Sequence, residues 1–237
     1  MSTPGVFRFK QFSIDDSRCA MKVGTDAVIL GAWTNMRTEG SILDIGTGCG
    51  IIALMAAQRS NGYITAIEID EGAALQSKEN FENSPWSERI DLIHGAVQQF
   101  KPEKSFDQII SNPPFFKNAL KATDQQRNIA RHNDSLSFES LLVSIDRLLT
   151  ENGTFAFILP TTEAFELITL SLAHQFHLNR YCTVFSREGK SPNRIMAEIS
   201  RHESVPVEET LCIRDSNNQY TTEYKELTKD FYLFLSE

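Results

Sequence analysis

From about residue 41 onward the apolar positions alternate between a period of two and a period near 3.6, so strands and helices are expected to alternate along the chain. Residues 41–45 (SILDI) form a short apolar run that stops at Gly46, and residues 51–58 continue in good helix formers, which reads as strand, glycine turn, helix. Further strands are expected at 63–69, 90–93, 106–110 and 154–159. Helices are expected at 71–81, at 138–149 with Gly153 ending it, and at 161–176 after Pro160. Strands separated by helices imply a parallel sheet covered on both faces.

The ends of the chain differ. Residues 178–186 and 194–201 look like strands joined by the turn REGKSPN, hence an antiparallel hairpin at the sheet's edge. Residues 207–214 read as a further strand and 222–235 as a last helix. Near the start, Phe7, Phe9 and Phe12 alternate, which predicts a small hairpin whose phenylalanines serve the core, followed by a helix at 25–32. The long polar stretch 116–134 is expected to be a functional loop. With no repeat or linker, one domain over 1–237 is expected, with 1–40 as an extension and 41–237 as the core.

Charge narrows the partners. The 237 residues carry a net charge of −8, which excludes uniform coating of nucleic acid but leaves room for a local basic site. Residues 1–24, 117–134 and 178–201 carry +2, +2 and +3, leaving −15 for the rest. Lys117, Lys121, Arg127 and Arg131 form one basic group, and Arg187, Lys190 and Arg194 another; together they are expected to make a phosphate-facing rim. No apolar run is long enough for a membrane span, and the first residues lack a basic flank followed by an apolar stretch, so a cytoplasmic protein without membrane contact is expected. Cys19, Cys49, Cys182 and Cys212 are scattered without metal-ligand spacing, which predicts buried free thiols and no metal.

The chemistry starts at Asp44-Ile45-Gly46-Thr47-Gly48-Cys49-Gly50, between the first parallel strand and its helix. A nucleotide site of an α/β sheet sits there, because backbone must approach the ligand where any Cβ would intrude. The spacing is GxGxG; Ile51 stands where the dinucleotide fingerprint has its last glycine, which disfavours a dehydrogenase. Glu68, at the end of the second parallel strand, is placed to accept hydrogen bonds from ribose hydroxyls. Asp44 is expected to be buried and to need donors, from loop backbone or a cofactor amino group.

Ser111-Asn112-Pro113-Pro114-Phe115-Phe116 follows the fourth strand. Two prolines make the turn rigid, presenting carbonyl oxygens and the Asn112 side chain. An Asn oxygen and a backbone carbonyl that each accept one N–H from a planar amine leave its lone pair aimed at an electrophile, and Phe115 offers a stacking face for a base.

With these residues in hand, the chain resembles the Rossmann-like S-adenosylmethionine-dependent methyltransferases: DIGTGCG as the cofactor loop, Glu68 as the ribose acid, NPPF as the amino-methylating motif. More narrowly, the opening FRFKQFSIDDSRCAMKVGTDAVILGAW, with its KVGTD, and Ala130-Arg131-His132 are similar to the bacterial tRNA adenine-N6-methyltransferases that act on adenosine 37 of a valine tRNA. The resemblance implies an α/β fold of five parallel strands plus an antiparallel C-terminal hairpin, S-adenosyl-L-methionine as cofactor and tRNA as partner; the sequence does not fix the oligomeric state, and a monomer is expected. It implies that Lys22, Gly24 and Thr25 reach the methionine carboxylate, that Gly46, Gly48 and Gly50 line the cofactor with Asp44 beside them, and that Glu68 holds the ribose. Asn112 and the Pro113 carbonyl would orient the target N6, next to the cofactor, and Phe115 would stack on the base. Where many relatives carry an acid for the cofactor adenine, this chain has Ala96; backbone or Gln98 stands in. Guanine N2 methylation of ribosomal RNA, DNA adenine methylation, protein glutamine N5 methylation and a catalytically silent RNA-binding module are the rival readings.

Overall fold

Strands that are apolar on both sides need cover on both faces. The computed structural model, which describes residues 5–113 and 136–233, provides it. The chain opens with β1 (Val6–Arg8) and β2 (Ser13–Asp15), an antiparallel pair, and α1 (Thr25–Trp33). Then come β3 (Ser41–Ile45), α2 (Ile51–Arg59), β4 (Tyr63–Glu68), α3 (Glu71–Glu82), β5 (Ile90–His94) and β6 (Phe106–Ser111). After the undescribed segment follow α4 (Phe138–Leu148), β7 (Leu149–Leu159), α5 (Thr161–Ser171), β8 (His177–Phe185), β9 (Arg194–Ser200), β10 (Val207–Cys212) and α6 (Thr222–Thr228). The expected loop 116–134 lies outside the described residues.

Eight strands form one sheet in the order β10-β8-β9-β7-β6-β3-β4-β5. The five strands from β5 to β7 are parallel, as the alternating pattern implies. Two apolar clusters sandwich the sheet: α1, α2 and α3 pack with Phe9, Phe12, Val28, Leu54 and Phe81 on one face, and α4 and α5 with Leu141, Ile145, Phe155 and Leu167 on the other. Phe9 and Phe12 are buried, while Phe7 is half-buried against them.

Three expectations change. The C-terminal hairpin is not the edge of the sheet: β9 inserts beside β7, β8 lies outside it, and β10 adds in parallel to β8 as the last strand. Only β9 therefore runs against the other strands of this sheet. Gly153 does not end a helix; α4 stops at Leu148 and Gly153 lies within β7. There the register against β6 slips between Phe106 and Gln108, and a Cβ on Gly153 would lie 2.6 Å from the Leu149 side chain. The last helix ends at Thr228, well short of residue 235.

The outer strands are held to α1 by Arg180. Its guanidinium lies 4.0 Å over the Trp33 ring, donates to Glu209 at 3.0 and 3.2 Å and to the Trp33 carbonyl at 3.1 Å, and sits 3.6 Å from Glu198. Glu198 accepts from the Asn35 N–H at 2.7 Å, and burial raises its pKa. Removing Arg180 would strand a buried carboxylate. Arg180→Ala should lower the unfolding free energy by about 3 kcal/mol, read from urea denaturation.

Candidate functional site

The carboxyl ends of β3, β4 and β6 converge on a cleft of about 230 Å³. Its floor is the glycine turn after β3. Gly46, Gly48 and Gly50 all have positive φ, at 71°, 58° and 89°. A methyl group on Gly46 or Gly48 would meet only open space, whereas one on Gly50 would come within 2.4 Å of Phe81. The first two are needed for the backbone path beside the ligand and the third for packing α2 against α3.

Glu68 holds this turn in shape. One carboxylate oxygen accepts from the Gly48 N–H at 2.8 Å; the other accepts from Ile69 and Asp70 N–H, both at 2.9 Å. A carboxylate has roughly four acceptor positions, so one stays available to a hydroxyl in the cleft that Glu68 lines. The acid expected to hold a ribose thus also clamps the loop against β4. Gly46 and Thr47 N–H groups donate to the Ile67 carbonyl, completing the clamp.

Asp44 is 1% exposed. One oxygen accepts from Thr47 Oγ1 at 2.6 Å and Ala53 N–H at 3.1 Å, and the other, also buried, has no hydrogen-bond partner. Burial pushes the carboxyl up to about 7 against those hydrogen bonds, and the nearby Glu68 charge adds to the rise. Asp44 does not itself line the cleft; its hydrogen bonds to Thr47 and Ala53 hold the glycine turn to the start of α2.

The opposite wall is the start of the NPPF turn. Ser111 is fully buried and donates to the Ile45 carbonyl at 2.8 Å, tying the end of β6 to the end of β3. Asn112 and Pro113 therefore line the same cleft as Gly46, Gly48 and Glu68. Ala96 and Gln98 line it too, as do the aliphatic side chains of Ile67, Ile69 and Val97, an apolar slot suited to a purine. Pro114, Phe115, Lys117, Lys121, Arg127, Arg131 and His132 lie outside the described residues.

Other expected residues sit elsewhere. The Lys22 ammonium turns back to the Asp16 and Ser17 carbonyls at 2.6 and 3.3 Å. Gly24 and Thr25 line a second cavity, while Met21, which the motif reading passed over, lines the cleft. Arg194 donates to Asp26 at 2.7 Å, so its charge is matched within the fold instead of belonging to an open rim. Lys190 is exposed on the β8–β9 turn. Met21 and Leu136 carry no motif; only the fold brings them to the cleft.

Two outcomes follow. The Asp44 carboxyl has a higher pKa folded than the ordinary 3.8, so its favourable contribution to stability is complete below that value and is lost as pH rises through about 7. Asp44→Asn should therefore raise the melting temperature of the ligand-free protein more at about pH 8 than at about pH 4, and weaken S-adenosylhomocysteine binding about tenfold at the higher pH. Melting curves with and without that ligand check both. Glu68→Ala should weaken the same binding by about 10–100-fold by calorimetry, with Glu68→Gln intermediate because its amide keeps one acceptor.

Comparison with known proteins agrees with this geometry. Residues 17–155 match the methyltransferase small domain. The chain is 43% identical over 231 residues to a tRNA1(Val) (adenine(37)-N6)-methyltransferase of Bacteroides thetaiotaomicron, covering 97% of this chain and 98% of that one. It is 45% identical over 232 residues to the protein of the same name from Tolumonas auensis, again covering 97% and 98%. Among solved structures, the crystal structure of a predicted O-methyltransferase from Agrobacterium tumefaciens superposes with a TM-score of 0.69 over 87% of this chain and 96% of that one; at 18% identity it supports the fold. The chain belongs to the tRNA1(Val) (adenine(37)-N6)-methyltransferase family.

Proposed function

We propose that the chain transfers a methyl group from S-adenosylmethionine to the exocyclic N6 of an adenosine in tRNA, adenosine 37 of a valine tRNA being the target its relatives are named for. The observation that carries the chemistry is the shared cleft: Gly46, Gly48 and Glu68 on one wall, Asn112 and Pro113 on the other, tied by the Ser111 to Ile45 hydrogen bond.

The cofactor supplies an electrophilic methyl group on a sulfonium. Glu68 would accept from a ribose hydroxyl, and Asp44, buried at the end of β3, would hold the glycine turn in shape through Thr47 and Ala53. Ile67, Ile69 and Val97 exclude water from the adenine. On the acceptor side, the Asn112 amide oxygen and the Pro113 carbonyl each accept one N–H of the target amine. Holding both hydrogens draws the nitrogen out of conjugation with its ring and aims its lone pair along the transfer line. S-adenosylmethionine would supply the methyl group and leave as S-adenosylhomocysteine, and the methylated amine would release one proton to solvent. Positioning supplies most of the acceleration, and no strong general base is needed. Phe115 would stack on the target base, and Lys117, Lys121, Arg127 and Arg131 would face RNA phosphates. Residues 1–40 and the core would act as one catalytic unit. A cytoplasmic location fits a tRNA substrate, and among the described residues no helix is long and apolar enough to cross a membrane.

Labelled S-adenosylmethionine with total RNA from cells lacking the protein should place label in tRNA, as N6-methyladenosine by nucleoside mass spectrometry; label in ribosomal RNA, as N2-methylguanosine, or in protein glutamine would overturn the target. Asn112→Ala should cut transfer by about 100-fold or more while S-adenosylhomocysteine affinity changes by less than about threefold. A variant that kept full transfer would remove the orienting role from Asn112.

A further inference from the structure

Strand β2 runs into a loop that closes on itself. The Asp16 carboxylate accepts from the Val23 N–H at 2.9 Å, and the Asp16 carbonyl accepts from the Cys19 N–H at 3.1 Å and the Lys22 ammonium at 2.6 Å. Lys22 is thus spent on shaping residues 16–23, and it does not line the cleft.

Helix α3 grips this loop with two buried amides one turn apart. Asn80 is 5% exposed; its Nδ2 donates to the Asp15 and Cys49 carbonyls, both at 2.8 Å, and its Oδ1 accepts from the Asp15 N–H at 3.0 Å. Gln76, four residues earlier on the same face of the helix, accepts from the Ser17 hydroxyl at 3.2 Å. Asn80 is the joint. Cys49 lies between Gly48 and Gly50, so one side chain fastens the root of the loop to the glycine turn that floors the cleft. The thiols of Cys19 and Cys49, both buried, hydrogen-bond to each other and add a second tie.

What the loop presents is Met21. Its side chain is 62% exposed and lines the cleft with Gly48 and Glu68. A large apolar side chain in water gains from a ligand that covers it, and an unbranched thioether adapts to the ligand's shape. Its position follows from the two anchors of the loop, the Asp16 to Val23 closure and the Asn80 joint. Of this segment it is therefore Met21, and not Lys22, that faces the cofactor.

We propose that Met21 covers S-adenosylmethionine in the cleft, and that Asn80 is a positioning residue that acts through it by fixing the loop to the glycine turn. The assignment rests on the methyl-donor half of the function proposed above and is independent of the RNA target.

The test uses the full chain with sinefungin and S-adenosylhomocysteine as ligands. Dilute peroxide converts an accessible methionine to its sulfoxide, and peptide mass spectrometry follows each methionine separately. Saturating sinefungin should slow oxidation of Met21 by about fivefold or more, while the buried Met36, Met55 and Met196 stay slow throughout. In Asn80→Ala that protection should fall below about twofold. By calorimetry, Met21→Ala should weaken S-adenosylhomocysteine binding by about five- to tenfold, and Met21→Leu, which keeps the apolar bulk, should restore it to within about twofold. Asn80→Ala should weaken it by a similar factor, and adding Met21→Ala to Asn80→Ala should cost no more than about a further twofold. Asn80→Asp, which keeps an acceptor for the Asp15 N–H and loses both donations, serves the same cycle if Asn80→Ala does not fold. Met21 oxidation indifferent to bound sinefungin, or unchanged affinity in Met21→Ala, would overturn the contact. Losses that multiply in the double variant would leave Asn80 a structural role and overturn the positioning. No binding of either ligand to the unmodified protein would overturn the cofactor assignment itself, and this inference with it.

Discussion

The carboxylate of Glu68 is the constraint on which the site turns. Three backbone N–H groups from two separate loops converge on it, one from the glycine turn and two from the start of the β4–α3 connection. Backbone donors in a half-buried turn must find acceptors, and here a single side chain satisfies them. It can do so because the end of β4 lies beside the end of β3, a neighbour relation set by parallel pairing through Ile45 and Ile67. The same register puts Ser111 opposite Ile45 on the other side. The glycine turn, Glu68 and the Asn112-Pro113 turn therefore stand at three neighbouring strand ends of one sheet.

Two carboxylates near one another in a poorly solvated pocket repel, and the structure divides their roles. Glu68 is stabilised by three donors, whereas Asp44 keeps a buried oxygen with no partner and a carboxyl pushed up to about 7. The charged form of Asp44 therefore costs the folded protein stability as pH rises, since burial outweighs its two hydrogen bonds.

Away from the cleft, charge does work that its count along the chain hides. The excess of positive charge in residues 178–201 suggests a basic surface, yet Arg180 is matched by Glu198 and Glu209, Arg194 by Asp26, and Arg201 by Asp146 and Glu151. These partners come from other elements, and they bolt β8, β9 and β10 to α1 and to the α4–β7 connection. Of the basic residues in that segment, Arg187 and Lys190 stand exposed on the β8–β9 turn. Local net charge says what a segment could attract, and folding decides what it already holds.

Much of this was legible in the linear order of residues, because it depends on interactions between near neighbours. Strand and helix periods, the glycine turn, the acid at the end of the next strand and the Asn-Pro pair after β6 all follow from local patterning, and each lies where that patterning puts it. What it left open depends on contacts between distant segments. The slip in register at Gly153, the placing of β9 between β7 and β8, the parallel edge strand β10, the neutralised Arg194 and the turn of Lys22 toward Asp16 are settled by partners tens of residues away or by how a loop closes. The division of KVGTD from the cofactor cleft belongs with them. Met21 lines the cleft there while Val23, Gly24 and Thr25 line a second cavity, which Phe7, Tyr220, Tyr224 and Tyr232 complete from distant parts of the chain.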